Sequence, residues 1–272
     1  MICILICVLL TIDILSSCNQ CNAFLEDKSQ NYNKIRLMTF NTGFSTDFAN
    51  IRELILIEKP DIIQFQEISP QMYDKLKSLK SFFPYNVGLR TPPKPFSSII
   101  LSKYPLKNNK VVDYYTVLTK VILDETELTF IGTHLSPPLN QLLLNLYSDM
   151  YFNYTKVPRP EEPLPRTNLE LAIKQMEYLK TLIDNNNQNL ILMGDLNMAT
   201  TSKRFTNFLK ETNLYTYISY KHPTSTWPAF MPNYLGIQID HVLFSKNFKM
   251  IGKKTTNHFG SDHRPLIVDL AF

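Results

Sequence analysis

Cysteine is confined to the first 21 residues, at Cys3, Cys7, Cys18 and Cys21. Everything from Asn22 to Phe272 therefore folds with no disulfide and no cysteine-ligated metal. Glycine is scarce, at seven residues, which excludes collagen-like and low-complexity chains. No apolar run reaches the about 20 residues that a membrane-spanning helix needs. Neither charge sign dominates: 28 Lys and Arg against 24 Asp and Glu leave a net +4, which permits an anionic partner without demanding one. What is present is a globular composition, 44% hydrophobic and only 19% charged, unlike a disordered chain or a coiled coil.

The one sustained apolar start, MICILICVLLTI, has the length of a signal-peptide core. Ser16-Ser17 stand directly before Cys18, an arrangement that resembles the site at which bacterial lipoproteins are cleaved and lipidated. Residues 1–22 are accordingly read as a leader, with Cys18 as a membrane anchor and the protein exported, periplasmic or membrane-held. The run lacks a preceding Lys or Arg and Asp13 interrupts its end, so a cytoplasmic protein with a misplaced start is the alternative. Residues 23–34 read as a polar tether and residues 35–272 as one domain, with no internal repeat.

Within that domain, strand-like runs rich in Ile, Val, Leu, Thr and Phe occur at 35–40, 61–67, 97–102, 110–125, 127–135, 189–197, 237–245 and 264–272. Residues 110–125 and 127–135 read as a hairpin across Asp124-Glu125-Thr126. Helical periodicity marks the stretch before Pro60, and Ser69-Pro70 supplies a cap and a first-turn proline. Thr167 to Glu170 form a capping-box pattern ahead of LELAIKQMEYLKTLI, and a fourth helix covers Ser202 to Glu211. Strands paired in sequence but interleaved with helices fit mixed sheets flanked by helices, an α+β class.

Several of these strands end on a polar residue that is costly to bury alone: Asn41, Glu67, His134, Asp195 with Asn197, Asp240, and Asp262 with His263. Each has a structural alternative. An Asp after a strand is commonly a turn or cap, Asn41 can shape a turn, His134 can be a satisfied core imidazole, and Asp240-His241 can be a strand-edge pair. Gathered at one sheet edge, they would supply four carboxylates, two amides and two imidazoles. Hard oxygen donors suit Mg²⁺, Mn²⁺ or Ca²⁺, and imidazoles beside them can protonate or stabilise an anionic centre.

TFN, QE, GDLN, IDH and SDHRP, in this order across residues 35–272, closely resemble the endonuclease/exonuclease/phosphatase superfamily, the DNase-I-like and AP-endonuclease-like hydrolases. STWPAF ahead of IDH resembles one bacterial branch of it. The resemblance implies an α/β/β/α four-layer sandwich of two packed mixed sheets. It implies a hydrolase dependent on Mg²⁺ (or Mn²⁺), cleaving phosphodiester bonds in nucleic acid or a phospholipid headgroup. Phosphomonoesterase action on phosphoinositides or nucleotides, and a non-catalytic binding protein retaining the fold, are the alternatives. By the same resemblance Glu67, Asn41 and Asp262 hold the metal and Asp195 orients or deprotonates the attacking water. Asn197 holds that water and the phosphate, His263 meets the phosphoryl oxygen under orientation by Asp240, and His134 binds the phosphate or assists the leaving group. No protein partner is implied, and a monomer is expected. The stretch 145–166, with four aromatic residues and Lys156, Arg159 and Arg166, is either a substrate-contacting flap or packing over the sheet edge.

Overall fold

A computed structural model describes residues 32–44, 46–88, 97–112, 115–138, 169–186, 189–219 and 224–272. The leader, nearly all of the tether, Thr167-Asn168 and the 145–166 stretch lie outside the described residues. The elements run β1 (Lys34–Asn41), α1 (Phe48–Glu58), β2 (Ile62–Ile68), α2 (Pro70–Lys77), β3 (Tyr85–Gly88), β4 (Ser97–Ser102) and β5 (Leu106–Val111). They continue with β6 (Thr116–Leu123), β7 (Thr126–His134), α3 (Leu169–Asp184), β8 (Leu190–Asp195), α4 (Lys203–Thr212), β9 (Asp240–Phe244), β10 (Lys249–Thr255) and β11 (Leu266–Ala271).

Local signals set the helix ends. The Ser69 hydroxyl accepts the Met72 N–H at 3.1 Å with Pro70 at the first helical position, and Ser202 likewise caps Phe205 N–H at 3.2 Å. Lys59 closes α1 in the left-handed conformation (φ 50°), its N–H returning to Ile55 O before Pro60 bars continuation. Each cap satisfies backbone groups that the helix itself leaves open.

Two mixed sheets result, in strand orders β10-β11-β1-β2-β4-β3 and β5-β6-β7-β8-β9. Each holds one parallel pair, β1 with β2 and β7 with β8, and is otherwise antiparallel. Ile35, Leu37, Phe130, Met193 and Val268 belong to the core between the sheets. Met38, Phe40 and Phe65 turn the other way onto α1 and α2, while Ile131, Leu192 and Leu243 turn onto α3 and α4. That alternation is the period of two that puts successive strand residues on opposite faces. With helices outside and the sheets face to face, β2, β8 and β9 are buried along nearly their whole length, which explains their continuous apolar runs. Each fully buried Leu, Ile or Phe contributes about 1.5–3 kcal/mol to folding before chain entropy is charged against it. The chain is thus an α+β sandwich of four layers.

Several boundaries differ from the sequence reading. The run 110–125 is not one strand: the chain turns back where Val112 N–H bonds Thr116 O at 2.9 Å, separating β5 from β6. The β6–β7 hairpin does close over Asp124-Glu125, with Asp124 left-handed at φ 52°. The stretch expected over 237–245 keeps strand pairing only over Asp240–Phe244, because Ile237 pairs back with Trp227 instead. β3, β5 and β10 carry too few alternating apolar residues to be read as strands; β5 and β10 bound their sheets as mostly exposed or half-buried edges. β1 begins at Lys34, one residue inside the segment read as tether, and Phe272 N–H bonds Asn33 O at 3.1 Å.

Candidate active site

The two parallel pairs place their carboxyl ends together. Asn41 ends β1, Glu67 sits at the end of β2, His134 ends β7 and Asp195 ends β8. Register then lines up His134, Asp195 and Asp240 side by side across β7, β8 and β9. Strand ends of this kind are where open α/β sheets bind ligands. Glu67 lies in a register shift of β2 and takes φ 50°, a strained conformation for glutamate that breaks the strand where its carboxylate is needed.

Asn41 joins the halves of the site. Its Nδ2 donates to Glu67 Oε1 and to Asp195 Oδ2, both at 3.1 Å, while its Oδ1 accepts the Gly43 N–H at 3.0 Å. In this arrangement the Asn41 amide aligns two carboxylates. His134 Nε2 stands 3.6 Å from both Glu67 Oε1 and Asp195 Oδ2. Asn197, left-handed at φ 49°, gives its backbone N–H to Asp195 Oδ1 at 2.8 Å. Its side-chain amide donates to Leu135 O at 2.7 Å, tying the end of β7 to that of β8.

His263 pairs through Nδ1 with Asp240 Oδ2 at 2.8 Å, leaving Nε2 3.7 Å from Asp195 Oδ2. Burial alone would discharge His263, but Asp240, then Asp262 and Asp195, hold its affinity for a proton well above the usual histidine value. Burial likewise pushes Asp240 up and loses to the His263 charge and hydrogen bond, so Asp240 lies below the usual aspartate value. Asp195 is driven well above its usual value by burial, then by the Asp240 charge. Glu67 rises to about 7 through burial, then the charge of Asp262. His134 falls to about 4 through burial, then the charge of His263.

These groups sort into two kinds. Ligand atoms of Asp195, Asp240 and His263 lie within 4.8 Å of one another. An imidazolium held charged by Asp240 has no lone pair to offer a metal, so His263 and Asp240 form a proton-bearing pair. Glu67 and Asp262, with Asn41, would be the oxygen donors to a cation; burial and then the Asp262 charge raise Glu67, while burial and then the Asp240 charge raise Asp195. An all-oxygen set carrying excess negative charge fits a hard divalent cation such as Mg²⁺.

Several residues that support the site had no role in the sequence reading. Thr226 Oγ1 accepts the N–H groups of Ile239 at 3.1 Å and Asp240 at 3.2 Å, fixing the approach to β9. Trp227 Nε1 donates to Asp262 Oδ2 at 3.3 Å. Ser261 Oγ donates to Asn41 O at 2.7 Å and accepts His263 N–H at 3.0 Å. Gly43 takes φ 55°, and a Cβ there would lie 2.7 Å from Asp262 Oδ1, so both the turn and the close approach require glycine. STWPAF carried the signal for Thr226 and Trp227, and SDHRP that for Ser261. His241, beside Asp240 in the chain, takes no part: it is buried under Phe205, ring centroids 4.3 Å apart, with Nε2 2.8 Å from Met198 O.

No curated protein sequence matches the chain. Among solved structures, sphingomyelinase C from Streptomyces griseocarneus is similar at a TM-score of 0.56 and 15% identity, covering 87% of this chain and 99% of that one. A beta toxin mutant from Staphylococcus aureus with bound magnesium ions reaches 0.58 and 16%, over 87% and 99%. D. rerio TDP2 complexed with a single-strand DNA product reaches 0.57 and 11%, over 88% and 99%. At such identities the likeness establishes the fold. Residues 38–263, however, match a family profile by sequence and span the site from β1 to His263, so the chain belongs to the Endonuclease/Exonuclease/phosphatase family.

Proposed function

We propose that the protein is a hydrolase of phosphodiester bonds dependent on Mg²⁺ or Mn²⁺. The observation that carries this reading is Asp195, whose buried carboxylate lies between Asn41, His134 and His263 with the Asp240–His263 pair behind it. Asn197 N–H and the Asn41 amide fix the Asp195 carboxylate from two sides, leaving it to orient a water and take its proton. Burial and then the Asp240 charge raise its proton affinity, which makes it a stronger base than an ordinary aspartate. His263 presents Nε2 to a phosphoryl oxygen as a hydrogen-bonded cation, offsetting charge that builds as the water attacks. Asp240 keeps that imidazole charged and fixes its orientation. His134, neutral at pH 7, supplies a hydrogen bond to the phosphate or the leaving group. Glu67 and Asp262, with Asn41, would hold the cation, which supplies Lewis-acid polarisation of the phosphoryl group. The magnesium in the beta toxin structure and the DNA product in the TDP2 structure support a metal and a phosphodiester, though each is a property of that protein.

Turnover of bis(p-nitrophenyl) phosphate by the purified protein tests this directly. Hydrolysis is expected with Mg²⁺ or Mn²⁺, lost on adding EDTA and regained with fresh metal. Undiminished hydrolysis after exhaustive chelation overturns the metal assignment, and no hydrolysis of any phosphodiester under any divalent ion overturns the activity.

A further inference from the structure

From Pro223 to Ile239 the sequence holds no charged residue. Trp227 and Ile237 form a bridge, and residues 228–236 leave it as a loop beside the site. The base of the loop touches Asp262 twice, through Trp227 Nε1 at 3.3 Å and Ala229 N–H to Asp262 O at 2.7 Å. Arg264 grips the loop, donating to the carbonyls of Ser225, Ala229 and Met231, and Lys253 Nζ donates to Gln238 Oε1 at 2.7 Å, so these two cations are spent within the protein. The tip turns through the short 3-10 segment Asn233–Leu235 and puts Tyr234 (76% exposed) and Leu235 (61%) into solvent, with Ile237 (39%) beside them. Phe44, 41% exposed, is tied to the site through its N–H, which bonds Glu67 O at 3.1 Å. Apolar side chains are thus raised on a braced loop next to the residues that would hold the metal.

We propose that this loop docks the enzyme on the surface of a phospholipid bilayer, so that the phosphodiester cleaved lies in a lipid headgroup. The inference rests on the function proposed above and names its substrate class. A tyrosine beside a leucine on an uncharged projection suits the boundary between headgroups and acyl chains, where an aromatic ring with a polar tip and an aliphatic neighbour are both accommodated. Nucleic acid demands the opposite: a groove of Lys and Arg along the backbone, with aromatic faces for bases. Tyr234 offers one such face, but Leu235 and Ile237 beside it offer none, and no Lys or Arg lies between Pro223 and Ile239. A second copy of the chain is too large an occupant, because three partly exposed side chains present roughly 300–400 Å², under the ~800 Å² per partner of a stable interface.

The test uses the full chain carrying Cys18→Ser, which removes any acyl anchor, with and without Tyr234→Ser/Leu235→Ser. Co-sedimentation is measured with vesicles of phosphatidylcholine and sphingomyelin, which bear no net charge, together with headgroup release from them. The double substitution is expected to weaken vesicle partitioning about tenfold or more and to lower headgroup release in step. Its turnover of soluble bis(p-nitrophenyl) phosphate should match that of the parent, showing an intact site. Binding should also survive a rise from 0.1 to 0.5 M salt, which would release a phosphate-backbone contact. Equal partitioning of the two proteins, or no partitioning of either, overturns the proposal. Loss of plasmid or single-stranded DNA cleavage in the double variant, with vesicle binding unchanged, would replace the lipid by a nucleic acid. Failure of the activity itself is distinguishable, because vesicle partitioning is read without turnover.

Discussion

Replacing Thr226 by valine should uncouple the site from its scaffold at a cost that can be worked out in advance. Thr226 is fully buried, and its one hydroxyl oxygen accepts two backbone N–H groups, from Ile239 at 3.1 Å and Asp240 at 3.2 Å. The same hydroxyl is among the groups that favour the charged form of Asp240. Valine fills the volume and offers no acceptor, so both N–H groups stay buried and unpaired. At about 1–3 kcal/mol for each such group the ceiling is about 6 kcal/mol. Two donors sharing one oxygen at 3.1–3.2 Å bond less well than one at 2.9 Å, which brings the expected loss to about 2–3 kcal/mol. Urea denaturation followed by circular dichroism measures this as a lower midpoint with unchanged slope. Asp240 should shift with its backbone, loosening the 2.8 Å pair with His263 and lowering kcat more than it changes KM. Thr226→Ser keeps the acceptor and should retain most of both properties. A valine variant within about 0.5 kcal/mol of the parent, or a serine variant as damaged as the valine one, would refute the reasoning.

Three further outcomes are expected. His263→Ala and Asp195→Asn should each lower kcat by about 10² or more with the circular dichroism spectrum unchanged, and Asp240→Asn should act more mildly through His263; near-full turnover in His263→Ala would remove its assigned role. Glu67, raised to about 7 by burial and then Asp262, carries a proton below neutrality that a metal must displace, so Mn²⁺ affinity should weaken by about tenfold per unit as pH falls from 7 to 5 and level off above 8. Calorimetric titration showing a pH-independent affinity would exclude Glu67 as a ligand. In a bacterium that processes lipoproteins, Cys18→Ser should move the protein from the membrane fraction to uncleaved precursor or soluble material; a soluble parent with no acyl label or mass change at Cys18 would refute the anchor.

The sequence by itself determined the residue types of the site and the elements long enough to show a period. TFN, GDLN, IDH and SDHRP were readable because each sits where a buried strand meets a polar residue, a juxtaposition costly to keep without a use. Ser69-Pro70, Ser202 and Pro60 marked helix ends, since caps and breakers act through neighbours in the chain. β3, β5 and β10 escaped notice because lone edge strands owe their pairing to a partner strand and carry little pattern of their own. The tasks of these residues were implied by the resemblance, and only the tertiary structure shows how the residues meet. Asn41 and Glu67 are 26 positions apart and Asn41 and Asp195 are 154 apart, yet one amide bridges both carboxylates. Nothing in the local sequence separates Asp240, paired with a charged histidine, from Asp262, held by the Trp227 indole and left beside Glu67. The raised proton affinities of Glu67, Asp195 and His263 reflect burial and charges brought near by the packing of two sheets. Such forces depend on distance through space, which the order of residues along a chain does not contain.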